Sequence, residues 1–229
     1  GNQWKCITFS WKTKGNTLKE GEPFFITLQT LYAMNEILLR SPENEDVFGD
    51  MAKFRQSRPD EDFIQKYYEE LTNIWDALLA AIPDLSKDPL NMRVRKNEAL
   101  IADDDMENNA LFTPIVMKGI LAPAAMYLLV RNEDHSQQGL INTFSKLNTI
   151  NWSLLASPWR NLLANENDAG QWIMISEERT KRVALGLEIV LWLLGVTELD
   201  DVDIEVSPTK FNIEFSIAKL VCLLYTALK

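Results

Sequence analysis

The stretch Pro59-Asp60-Glu61-Asp62-Phe63, running on through Trp75 to Ile82-Pro83, decides the fold class. Proline suits the first turn of a helix, where its missing N–H costs nothing, and the three acids complement the positive end of the helix dipole. Phe63, Tyr67, Leu71, Ile74, Trp75, Leu78 and Leu79 then recur at spacings of three and four, which places one apolar stripe along a helix. Pro83 ends it near Ile82, since proline cannot continue a helical ladder.

Similar stripes lie on both sides. Thr27 caps a helix whose apolar positions are Leu28, Leu31, Tyr32, Leu38 and Leu39, closed by Pro42. Leu111 to Val130 is a hydrophobic helix with Pro114 in its first turn, while Pro123 sits inside and should kink or divide it. Asn132 to His135 is a turn, and Gln137 to Leu147 a short helix. Ser176 caps a long helix with Glu177 and Glu178 in its first turn; Val183, Leu187, Val190, Leu191 and Leu194 line it, and Gly195 closes it. Ser207-Pro208 opens a last helix along Phe211, Phe215, Ile217, Leu220, Leu224 and Leu228. The expected fold is a mainly α, bundle-like multi-helix domain with one or two short strands, spanning residues 1–229.

The strands are Gln3 to Trp11, which alternates, and Gln171 to Ile175 after the turn Asp168-Ala169-Gly170. A lone strand is not stable, so the partner of the first is either missing or elsewhere in the chain. The chain opens Gly1-Asn2-Gln3-Trp4 without an initiator Met, which reads as part of a longer protein, with residues 1–12 belonging to an upstream α/β portion. Residues 84–109 form a polar connection longer than usual.

Composition excludes several function classes. The net charge is −10, from 23 basic and 33 acidic residues, which argues against DNA binding by the chain as a whole while leaving room for a local basic stripe. The basic clusters Arg93, Arg95, Lys96 and Arg179, Lys181, Arg182 read first as solvated faces, as does the acidic run Asp103-Asp104-Asp105. Cys6 and Cys222 do not make a disulfide framework, and a reducing, cytoplasmic setting is the simpler reading. No run of eighteen apolar residues predicts a membrane span. The single histidine, His135, offers no partner for nucleophilic chemistry, no phosphate-cradling glycine loop is present, and zinc-ligand spacing is lacking. The chain therefore reads as non-catalytic, without cofactor or metal.

One segment invites a contact role. Ser157-Pro158-Trp159-Arg160-Asn161 brings Trp and Arg together, able to stack on a base, grip a partner or plug the core, with Trp159 an anchor and Arg160 snorkelling in the last case. Trp159, Arg160, Asn161, Arg179 and Arg182 are the candidate partner or nucleic-acid contacts.

Asn109-Ala110-Leu111-Phe112-Thr113-Pro114-Ile115, Leu147-Asn148-Thr149-Ile150-Asn151-Trp152, Ser157 to Leu163, Gly170-Gln171-Trp172-Ile173-Met174-Ile175 and Leu193-Leu194-Gly195 follow in order. Together with Tyr67, Leu71, Trp75 and Ile82-Pro83, this pattern resembles the C-terminal helical half of DGQHR-domain proteins, the group containing DndB-type DNA sulfur modification proteins. It covers roughly residues 25–195. The defining Asp-Gly-Gln-His-Arg motif is absent, so no family site residue carries over. The resemblance implies a regulatory or complex-assembling role in DNA modification or phage defence, with DNA met through the full-length protein. The other reading is a protein–protein scaffold unrelated to DNA, anchored by Trp-rich loops.

Overall fold

The computed structural model describes residues 11–14, 18, 22–39, 60–93, 100, 108–175 and 178–196. They form a mainly α fold with two short two-stranded sheets. Residues 3–10 of the strand expected over 3–11, the stop at Pro42, the acidic run 103–105 and the last helix over 207–228 lie outside the described residues.

Strand β1 (Trp11–Lys12) pairs in parallel with β2 (Ile26–Thr27), with Trp11 opposite Ile26. The first strand thus has a partner within the chain, one too short to announce itself by alternation. Lys12 and Glu22 close the connection with an ion pair of 2.6 Å. Thr27 then caps helix α1 (Leu28–Leu38), its hydroxyl accepting from the Thr30 N–H. The expected stripe is displaced around this helix. Thr30, Leu31, Met34 and Leu38 are buried, while Leu28 and Tyr32 are 46% and 49% exposed. The Thr27 cap and the β2 pairing set the rotation of the first turn, and propensity has no say in it.

Helix α2 (Glu61–Ala81) begins two residues later than the proline suggested. Asp60 is the cap, its Oδ1 accepting from the Phe63 N–H at 2.8 Å, so an acid read as a dipole partner is a capping group. Tyr67, Ile74, Trp75 and Leu78 are buried, and Ile82 and Pro83 end the helix in a single 3₁₀ turn. Within the polar connection after it, helix α3 (Pro89–Met92) follows the cap Asp88. Arg93, expected on a solvated face, is half-buried and donates to the carbonyls of Glu22 and Phe24, tying this connection to the approach to β2. Burial pulls its pKa below the ordinary arginine value, opposed by the nearby Glu22 carboxylate. Its cluster mates Arg95 and Lys96 lie outside the described residues.

The hydrophobic stretch over 111–130 resolves the proline problem without a break. A 3₁₀ turn (Ala110–Phe112) leads into α4 (Pro114–Val116), a π turn (Met117–Leu121) and α5 (Ala122–Val130). Pro123 has no N–H, and its ring would clash with the carbonyl four residues back. The chain widens just before it, the Ala122 N–H reaching the Met117 carbonyl, and the helix continues. After the turn at 131–136, helix α6 (Gln137–Phe144) follows its Ser136 cap and passes into a 3₁₀ segment (Ser145–Thr149). A hairpin of β3 (Ala164–Glu166) and β4 (Trp172–Met174) precedes α7 (Arg179–Leu193). Helix α7 does not start at a Ser176 cap. Glu178 precedes it in a left-handed conformation (φ 49°) without a side-chain cap, while Ser176 and Glu177 fall outside the described residues. Its end is as expected: Gly195 has φ 67°, and the Gly195 and Val196 N–H groups bond to Trp192 and Leu191, a Schellman closure.

Helix α2 packs on α6, α1 on α5, and α7 on the π turn and α5, around one apolar core. The α7 crossing is close because glycines face it. A Cβ on Gly119 would lie 2.2 Å from Val183 Cγ1, and one on Gly186 2.8 Å from Ile120 Cδ1. Val183 is buried, and a β-branched side chain in a helix has little freedom to rotate away. Gly119→Ala is therefore expected to destabilise the protein by about 1–3 kcal/mol through overpacking, measured by chemical denaturation. Adding Val183→Ala should return part of that loss, whereas independent sites would simply add.

Candidate functional site

The segment 150–175 is built around two stacked indoles. Trp152 and Trp159 lie 5.2 Å apart at 15°. Each indole N–H finds a backbone acceptor: Trp152 donates to the Leu147 carbonyl at 3.1 Å and Trp159 to the Asn151 carbonyl at 2.6 Å. Trp159 is 0% exposed, so of the three roles open to it the core anchor is the one it occupies. Its own carbonyl accepts from the Leu162 and Leu163 N–H groups, curling the following loop tightly over the ring. The Ser157–Pro158 peptide in this loop is cis.

Burying Trp159 turns the next two residues outward. Arg160 is exposed, and its guanidinium lies over the Trp172 ring, 4.2 Å from the centroid. Such a contact at an exposed position contributes about 0.5–1 kcal/mol. Asn161 is exposed in the left-handed region (φ 69°), a conformation asparagine tolerates better than most residues. Its N–H bonds the Ala164 carbonyl, which leaves the backbone of the loop closed and the side-chain amide at the surface.

Helix α7 completes the face. Arg182 Nη1 donates to the carbonyls of Asn161 and Leu162, at 3.3 and 3.1 Å. Arg179, one turn earlier, is exposed and donates from Nε to the Ile175 carbonyl at 3.2 Å. The hairpin strand leading there is itself pinned, the Ile175 N–H bonding the Leu163 carbonyl. Four of the five candidates, Arg160, Asn161, Arg179 and Arg182, thus sit on a loop and on the first turn of α7, elements that the hairpin and the Arg182 hydrogen bonds join, while Trp159 is buried. Lys181 of the same run faces Glu178 at 3.7 Å. Sequence reasoning missed Trp172 as a participant. Twelve residues separate it from Arg160, and only the hairpin brings them together.

Elsewhere the chemistry is sparse. His135 sits exposed in its turn, beside Asp134, whose carboxylate accepts from Ser136 and is held below the usual aspartate range. Among the described residues no group of three or more His, Cys, Asp or Glu is arranged to hold a metal, and no helix is long and apolar enough to cross a membrane. Glu188 on α7 is half-buried, and desolvation raises its pKa. The folded carboxyl keeps its proton to higher pH than the unfolded one. Folding is thus favoured below the unfolded pKa, and that advantage is lost as pH rises through the folded pKa. Glu188→Gln should then raise the thermal midpoint modestly at neutral pH, with the gain vanishing in acid, as a pH series of melting curves would record. In comparison with known proteins the chain matches no family model, no curated protein and no solved structure.

Proposed function

We propose that this chain is a non-catalytic helical module of a DNA-modification or phage-defence-associated protein of the DndB-like, DGQHR type, acting in regulation or complex assembly. The observation that carries the reading is how the resembling segments meet. The Ala110 N–H bonds the Trp152 carbonyl, Leu154 bonds Asn108, Trp152 stacks on Trp159, and Ile175 bonds Leu163. Segments far apart in sequence are thus one interlocked framework. A spaced pattern of this kind preserves a scaffold and a surface, which suits a regulatory part. The surface it carries is the arginine face of Arg160, Arg179 and Arg182, local basic character in an acidic chain.

The test is fluorescence anisotropy of a labelled DNA duplex titrated with the protein at low and physiological salt. Binding that weakens steeply with salt is expected, because each phosphate neutralised releases counterions. Absence of binding at low salt would remove this chain as a reader of duplex DNA.

A second reading, a protein–protein scaffold, is favoured by a separate observation. Leu28 and Tyr32 on α1, Ile64 and Tyr68 on α2, and Tyr127 and Val130 on α5 are large, apolar and exposed, each pair on one side of its helix. Aromatic residues of this kind are enriched at protein interfaces.

A further inference from the structure

We propose that the arginine face takes an unpaired nucleobase, stacked on the outer plane of the Arg160 guanidinium, with the Asn161 amide at the base edge and Arg179 on an adjoining phosphate. The proposal deepens the nucleic-acid side of the preceding reading by naming the form of nucleic acid, and it rests on that reading.

A guanidinium has two faces. The Arg160 Cζ lies over the Trp172 ring, 4.2 Å from its centroid, and the residue is exposed, so a cation held on an aromatic ring stands at the protein boundary. Neither Arg160 nor Arg179 pairs with a carboxylate among the described residues. The side chains are held instead by a neutral ring and by the Ile175 carbonyl, which orders them without neutralising them. Arginine planes and aromatic rings are the surfaces on which splayed bases stack in single-strand recognition.

Asn161 adds what a bare charge would lack. Its side-chain amide makes no hydrogen bond among the described residues, and it carries both a donor pair and an acceptor, the set needed to read a base edge. Arg182 is a positioning residue here. It holds the Asn161 and Leu162 carbonyls, and thereby the loop presenting Arg160.

The alternatives fit less well. In a duplex both faces of every internal base are covered by its neighbours, leaving none for Arg160. Nor does the short loop have the form of a helix or β-ribbon entering the major groove. An acidic peptide would pair with the guanidinium edges and has no plane to lay on its face.

The experiment is anisotropy of labelled single-stranded oligonucleotides, one oligoadenylate and one oligothymidylate, against a duplex of matched length, all at low salt. Single strands are expected to bind more tightly than the duplex. Arg160→Ala should weaken single-strand binding about 5- to 150-fold, the range for loss of one stacked base. Arg160→Lys, which keeps the charge and loses the plane, should fall nearly as far. Asn161→Gly keeps the left-handed backbone and should narrow the difference between the two oligonucleotides. Arg179→Ala should flatten the salt dependence by about 0.7 in log–log slope. Unchanged melting temperatures in these surface variants would establish that folding is intact. Wild-type affinity in Arg160→Lys would reduce the site to a point charge and overturn the proposal, as would failure of single strands to bind. Duplex binding without single-strand preference would also overturn it, while leaving the regulatory-module reading in place.

Discussion

Trp159→Ala is expected to cost about 3–5 kcal/mol of folding free energy, the range for emptying a buried aromatic site. The ring is fully enclosed and stacked on Trp152, and its N–H satisfies the Asn151 carbonyl. The cavity would open against α7, where the backbone at Gly186 lies close enough that an added Cβ would stand 3.4 Å from the indole edge. Trp159→Phe should cost less, since it keeps most of the volume and leaves chiefly the Asn151 carbonyl without its donor. Chemical denaturation gives both numbers. The alanine variant should also lose the order of residues 160–163, because the curl over Trp159 is what turns Arg160 and Asn161 outward. The proposed nucleic-acid binding would fall with it even at temperatures where the protein stays folded. A loss below about 1 kcal/mol would mean that the loop, not the indole, supports this face.

The difference in role between Trp159 and its neighbours shows what can be read from sequence and what cannot. Helix α2 was legible because independent signals agree there: acids at the start, a stripe of period 3.6, and a proline at the end. The Thr27 cap and the Gly195 closure were legible for the same reason, each being a local chemical requirement. The face of α1 was not. Leu28 and Tyr32 are as apolar as Leu31, and the β2 pairing together with contacts to α5 and the π turn decides which of them is covered. Strands β2 and β3 are two and three residues long, too short for alternation to be seen. The start of α7 misled because Ser176 has capping chemistry, whereas the helix follows a left-handed Glu178. At the candidate site the residue types were visible in the segment 157–161, and so was the arginine run on α7. Their joining was not, because Arg182 reaches the Asn161 carbonyl and Arg160 reaches Trp172 only through the hairpin. Such pairings are set by tertiary structure and leave no periodic trace.

The second large effect belongs to Trp75, where burial and a polar tie between helices coincide. Trp75 is 1% exposed in the middle of α2, and its indole N–H donates to Asn35 Oδ1 of α1 at 2.8 Å, across forty residues of sequence. Trp75→Ala should destabilise by about 3–5 kcal/mol, comparable to Trp159→Ala. The two losses differ in what they expose. Asn35 is only half-buried, so water can replace the lost donor and the cost of an unsatisfied amide is small. Trp75→Phe should then cost about 1–2 kcal/mol, mostly from packing, and Asn35→Ala about 1 kcal/mol or less. A double-mutant cycle between Trp75→Phe and Asn35→Ala isolates the tie itself. A coupling near zero would mean that α1 is held to α2 by apolar contact alone. A coupling of about 0.5–1.5 kcal/mol would make the bond a determinant of how α1 is oriented. Because α1 also carries the exposed pair Leu28 and Tyr32, that orientation sets which apolar surface lies open. On the scaffold proposal, loosening the tie should disturb assembly while leaving the arginine face on the hairpin and α7 intact, a separation of the two surfaces that binding assays on the same variant can record.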